Sequence, residues 1–122
     1  MRRARQFLSL AAPPVYSRFM TAPVLEIALL KVRLRQTSEF EAAFAQAGPL
    51  IASIPGYQRH ELQRCLEDEH KYVLLVWWDT LEAHTVGFRG SAEYGQWRAL
   101  LHHFYDPFPV VEHFVPVALP NS

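Results

Sequence analysis

Residues 72–78 read YVLLVWW, and residues 79–101 continue DTLEAHTVGFRGSAEYGQWRALL. The first stretch is apolar on both faces of an extended chain, the pattern of a central strand covered on both sides. Asp79 or Thr80 then caps a short helix to about Phe88. On that helix His84 shares a face with Leu81 and Phe88, so its imidazole points inward. Ser91 caps a second helix to about Tyr105, with Tyr94, Trp97, Leu101 and Phe104 at helical spacing.

Working outward, Tyr57–Leu66 precedes this strand across the acidic tip 67–70 (EDEH), so the pair reads as a hairpin. Its polarity is mixed (Arg59, His60, Glu61, Gln63, Arg64), which sets one face or one end against water or a subunit partner. Ser38 opens a helix with Glu41 as the second half of a capping box. Phe40, Ala43, Phe44, Ala47, Leu50, Ile51 and Ile54 form one apolar arc on it. Gly48-Pro49 predicts a kink or restart with Pro49 toward solvent, and Pro55-Gly56 ends the helix. Val24–Arg35 alternates as a strand, with Leu25, Ile27 and Leu29 on one face and Ala28, Leu30, Val32 and Leu34 on the other. Glu26 is the anomaly on the second face, either at an exposed strand start or as a buried catalytic carboxylate. Pro107 and Pro109 break the chain before a last strand, Val110–Val117.

The order is β-α-β-β-α-β with the second helix broken in two, an α+β, ferredoxin-like arrangement with a four-stranded antiparallel sheet. Helices on one face leave the other bare and apolar, too large a patch for a monomer. The pattern therefore predicts a homodimer closing through sheet faces.

The chain has 122 residues, enough for one domain with a modest core. Its formal net charge is zero but unevenly spread: residues 1–23 hold Arg2, Arg3, Arg5 and Arg18 and no acid. The rest carries 8 basic and 12 acidic residues, so the folded body lacks the basic face a nucleic-acid partner needs. Cys65 is the only cysteine, so no intrachain disulfide forms; on a strand it reads as a small apolar side chain. No apolar run reaches the ~18 residues of a membrane span. Residues 1–23 (MRRARQFLSLAAPPVYSRFMTAP) read as a basic N-terminal extension outside the fold. Either residues 1–19 are a mitochondrial transit peptide, or Met20 is the start and the protein is cytoplasmic. The domain spans 24–118, and 119–122 is a tail.

This order, the Pro-Gly turn before the second strand, LLVWW before a helix bearing EAH, the FRGS–Trp helix and the terminal VEHF together resemble the antibiotic biosynthesis monooxygenase (ABM) family. The likeness covers about residues 24–118. It implies a dimeric α/β barrel with a pocket in each subunit between helices and sheet. It also implies, for some members, oxidation of polycyclic phenols or quinols without metal or flavin, so no cofactor is expected. The heme-degrading branch needs an Asn on the first strand, a Trp on the helix after the third strand and a His on the next helix. Here the first strand has no Asn, Gly87 or Phe88 stands near the Trp position, and Trp97 or Arg98 stands near the His position.

The candidate catalytic residues are His84 and His113. An inward His84 beside aromatics is either a general base for a phenolic substrate or a core histidine bonded to backbone. His113 alternates with Val111 and Val115 on an apolar sheet face, where it lines the pocket, joins the dimer or is structural. His102 and His103 are not a metal pair, because adjacent helical residues diverge by ~100°; His103 reads as solvent-facing or interfacial and His102 as flanking. Arg89 either contacts an anionic or carbonyl oxygen or satisfies helix carbonyls. Tyr72, Trp78, Phe88, Tyr94, Trp97 and Phe104 form either a flat slot for an aromatic ring or plain core. Tyr72, Trp78, Phe88, Arg89 and Trp97 are the candidate substrate contacts. No phosphate-binding loop, nucleophile elbow or dinucleotide fingerprint is present. The resulting expectation is a cofactor-independent monooxygenase acting on a small phenol- or quinol-like molecule. The alternatives are a non-catalytic dimeric module binding a hydrophobic ligand or serving a stress response, and heme binding through His84 or His113.

Overall fold

The computed structural model describes residues 22–120. The reading of the basic extension and of the two start sites thus lies almost entirely outside the described residues. Four antiparallel strands, β1 (Val24–Lys31), β2 (Tyr57–Arg64), β3 (Lys71–Trp78) and β4 (Val111–Phe114), form one sheet in the order β2-β3-β1-β4. Helix α1 (Thr37–Ala52), a π-helical segment Ala83–Phe88, and α2 (Ala92–Leu101) cover one face. This is the ferredoxin-like arrangement read from the sequence.

Strand register explains which side chains meet the helices. β1 pairs Glu26 with Val76 of β3 and with His113 of β4; Ala28 pairs with Leu74 and Val111, and Leu30 with Tyr72. Directly opposed residues share a face, so Glu26, Ala28, Leu30, Tyr72, Leu74, Val76, Trp78, Val111 and His113 all lie on the helix side. Phe40, Phe44, Ala47 and Ile51 of α1 and Trp97 and Leu101 of α2 pack onto them as the core. The opposite face presents Leu25, Ile27, Leu29, Val73, Leu75, Trp77 and Phe114, with Leu29 and Phe114 about half exposed.

Several local expectations change. Glu26 is 5% exposed, not at an open strand start, because β1 is flanked by β3 and β4 and the π-helix packs over its beginning. β1 ends at Lys31; Val32 adds an isolated bridge to Tyr105 and donates its N–H to the His70 carbonyl, and Leu34 is exposed. Helix α1 runs unbroken through Pro49, which lies on its exposed side as expected. The Ser38–Glu41 capping box does not form: the N-cap is Gln36, without a side-chain cap, and Glu41 instead binds Tyr72 and Arg64. The last strand is shorter than predicted.

One glycine sets the placement of the π-helix. Gly56 has φ +91°, and a Cβ there would lie 2.6 Å from the Ala83 Cβ. Only glycine combines that backbone with that approach. Its carbonyl accepts from the Asp79 N–H at 2.7 Å, tying the α1–β2 turn to the end of β3.

Candidate active site

Thr80 Oγ1 accepts from the Ala83 N–H, and Ser91 Oγ from the Tyr94 N–H, so both helix starts are capped as the sequence implied. Between them the chain winds as a π-helix, with the Arg89 N–H bonded to the His84 carbonyl five residues back. Such widened turns recur at functional sites. Here it directs His84 and Phe88 inward, where both are almost wholly buried, and leaves Arg89 exposed at the helix end.

His84 stacks on Trp78, ring centroids 5.4 Å apart and planes within 17°. Its Nδ1 lies 2.7 Å from His113 Nε2, and its Nε2 lies 3.5 Å from Glu26 Oε1. That same carboxylate oxygen accepts from Trp78 Nε1–H at 2.9 Å. Glu26, His84 and His113 thus form one connected set, and His84 bonds to a histidine side chain, not to backbone. The facing histidine nitrogens share a proton, so their lone pairs do not converge on one metal position. Among the described residues no group of three or more histidine, cysteine or carboxylate side chains is disposed to hold a metal ion.

Burial dominates the electrostatics. Loss of hydration pushes the Glu26 carboxyl up to about 7, although the Trp78 N–H and the Arg89 charge both favour its anion. Burial, then the nearby charges of Arg89 and His113, push His84 down to about 3. His113 is lowered for the same leading reason, then by Arg89. Near neutrality the histidines are therefore uncharged, and Glu26 is the group poised to exchange a proton.

A cavity of about 320 Å³ opens above these residues. Glu26, Ala28 and Leu30 run along its β1 wall; Phe88, Tyr94 and Trp97 supply aromatic walls; His84, Arg89, His102, Tyr105 and Phe108 also line it. Phe88 meets Tyr94 and Trp97 edge-on at 5.1 and 5.4 Å. Of the predicted contacts, Phe88, Arg89 and Trp97 line the cavity. Trp78 lies behind it, fully buried and bonded to Glu26. Tyr72 does not line it: its ring packs on Phe40, and its hydroxyl donates to Glu41. Phe104 likewise packs on Phe40, away from the lining. Of the adjacent histidines, His102 lines the cavity and His103 is exposed.

Of the two readings of Glu26, the buried carboxylate is the one the structure shows, and it lies at the centre of this polar set; Tyr105, which also lines the cavity, was not among the candidates. The signal for Glu26 was present as a lone acid on an otherwise apolar strand face. Tyr105 gave none, because it follows the last helical turn and is aimed by its bridge to Val32.

Residues 23–100 match the antibiotic biosynthesis monooxygenase family. The chain belongs to that family. An uncharacterized Bacillus subtilis (strain 168) protein, YczJ, is 56% identical over 94 residues, 77% of this chain and 99% of that one. A Bordetella bronchiseptica structure assigned to the same family superposes with a TM-score of 0.75 at 35% identity, covering 80% of this chain and 99% of that one. SnoaB from Streptomyces nogalater, a cofactor-independent oxygenase, shares the fold with a TM-score of 0.68 at 21% identity, covering 83% of this chain and 99% of its own. No helix among the described residues is long and apolar enough to cross a membrane.

Proposed function

We propose that this ABM protein is a cofactor-independent monooxygenase of a small phenol- or quinol-like aromatic, with Glu26 as its acid–base group. The observation that carries this reading is a buried carboxyl held near neutrality at the wall of an aromatic cavity, in contact with His84 and near Arg89. A general base is most effective when its pKa lies near the working pH. That favours Glu26 over His84, whose nitrogen is a weak proton acceptor at about 3. His84 and His113 take the supporting role: they fix the position of Glu26 and provide uncharged partners for its proton.

The protons and electrons balance without a further reductant. Glu26 takes the hydroxyl proton of the substrate, and Arg89 stabilises the oxyanion. The electron-rich ring passes one electron to dioxygen; collapse of the radical pair forms a carbon–oxygen bond, and Glu26 returns its proton to the peroxide. Glu26 then removes the remaining ring-carbon proton as the O–O bond breaks. The distal oxygen leaves with the bonding pair and takes that proton, as water. One dioxygen is consumed, the substrate loses two hydrogens and gains one carbonyl oxygen, and one water forms. The resemblance of the fold to SnoaB supports this chemistry.

The uncovered face of the sheet, with Leu25, Leu29, Trp77 and Phe114, supports a homodimer closing through it. The test is oxygen uptake with naphthohydroquinones and anthrones, above the rate of spontaneous oxidation, together with sedimentation to count subunits. One quinone per dioxygen in the wild type, with a loss of about a hundredfold or more in Glu26→Gln, is the expected result. Saturable binding of the same compounds without oxygen uptake would instead establish a binding module.

A further inference from the structure

Tyr105 is 6% exposed and lines the cavity. Its backbone is held by the bridge to Val32 and by its N–H bond to the His102 carbonyl, so the ring has a fixed origin. Its ring edge meets Phe40 and Phe108. Among the described residues its hydroxyl makes no hydrogen bond, and the one buried side-chain polar atom wholly without both a partner and access is His70 Nδ1. The Tyr105 oxygen therefore has access to open space, and the open space beside this ring is the cavity. Burial pushes the phenol above its usual range, so it stays protonated and is a permanent donor. In the cavity this donor is open to an acceptor oxygen on a ligand, which would take the place of water.

Its location is informative. Glu26 lies near the start of β1, and the cavity wall continues through Ala28 to Leu30. Tyr105 is anchored beyond that, opposite Val32. From Glu26 to Leu30 the strand advances roughly 13 Å at its ordinary rise. The slot thus has an acid–base end, with Glu26, His84 and Arg89, and a separate donor end at Tyr105, with aromatic walls between.

We propose that Tyr105 is a substrate-binding residue that donates a hydrogen bond to a second oxygen, so that the site selects flat aromatics oxygenated at both ends. This rests on the aromatic-substrate reading above and narrows it from a phenol to a molecule with an acceptor oxygen remote from the reacting hydroxyl. A site with a fixed polar group discriminates strongly against an analogue that leaves it unpaired.

The test is calorimetric titration of the full chain, without oxygen, with 2-naphthol and with 2,6-dihydroxynaphthalene. The wild type is expected to prefer the diol, and Tyr105→Phe to lower that preference by about fivefold to tenfold while binding 2-naphthol as before. No preference in the wild type, or one that survives in Tyr105→Phe, overturns the assignment while leaving the aromatic cavity standing. Should Tyr105→Phe fail to fold, 6-methoxy-2-naphthol, whose second oxygen accepts but does not donate, replaces it: wild-type binding as tight as that of the diol supports a donor at Tyr105, and binding no tighter than that of 2-naphthol overturns it. Failure of both naphthols to bind overturns this inference together with the aromatic reading. Tight diol binding without oxygen uptake sinks only the oxygenase and leaves Tyr105 in place.

Discussion

Two carboxylates, one on β1 and one on α1, receive similar hydrogen bonds from β3 and respond in opposite ways. Glu26 accepts from the Trp78 indole at 2.9 Å, and Glu41 from the Tyr72 hydroxyl at 2.6 Å. Both donors lie on the covered face of β3. Yet the Glu26 carboxyl is raised to about 7, whereas Glu41 is held below the usual carboxylate range by Tyr72 and then by Arg64. The Glu26 side chain is 7% exposed and that of Glu41 42%. Glu26 has lost its water and has one neutral donor in close contact; Glu41 keeps much of its water and adds a guanidinium. Hydration, more than the presence of a donor, decides which of the two is suited to chemistry and which fastens α1 to the sheet.

The largest test of this contrast is Glu26→Gln. Besides the loss of activity, it should raise stability at pH 8 by up to about 3 kcal/mol, the equivalent of the shift from 4.5 to about 7. A raised carboxyl pKa means that the stability contribution is fully present below 4.5 and is lost as pH rises through about 7. The gain of the variant should therefore vanish below that window. Urea unfolding at pH 4 and pH 8 measures both limbs, and a Gln variant less stable than wild type at pH 8 would break the comparison.

Trp78→Phe removes the donor that restrains Glu26. Loss of the indole from a fully buried site should cost roughly 2–4 kcal/mol and move the Glu26 carboxyl further upward. Carboxyl carbon NMR titration reads that direction; an unchanged midpoint would mean that Trp78 contributes packing alone.

His84→Phe keeps an aromatic ring against Trp78 while removing a group that resists protonation. The folded His84 is depressed from 6.5 to about 3, so its stability contribution is lost as pH falls below 6.5. The unfolding free energy of wild type relative to the variant should shrink by about 2 kcal/mol between pH 7 and pH 5. Parallel pH profiles would contradict a buried, neutral imidazole.

Glu41→Gln should matter least, below about 1 kcal/mol, because Glu41 and its ion-pair partner Arg64 are each about half in water. Its contribution should weaken with added salt and disappear as pH falls through the ordinary carboxylate range, since a depressed carboxyl stabilises only above it. A large, salt-independent loss in denaturation midpoint would mean that exposure does not separate the two sites.

The alternation of Val24–Lys31 and the doubly apolar run Lys71–Trp78 were legible because strand faces repeat every two residues whatever lies beyond them. The inward direction of His84, the caps at Thr80 and Ser91, and the Pro55-Gly56 turn were legible for the same local reason. Membership of the ABM family rested on such elements in order. Local periodicity could not say that Glu26 is buried, because that depends on β4 and the π-helix closing over β1. Nor could it say that His113 would reach His84, 29 residues away in the chain. The widened turn at Ala83–Phe88 packs closely against Gly56, distant in the chain, and Tyr105 is aimed by a bridge to Val32. By itself the sequence determined the elements, their faces and the residue types available for chemistry. Only the tertiary structure decided which side chains lose their water together, because desolvation is set by every neighbour around a group and not by its place along the chain.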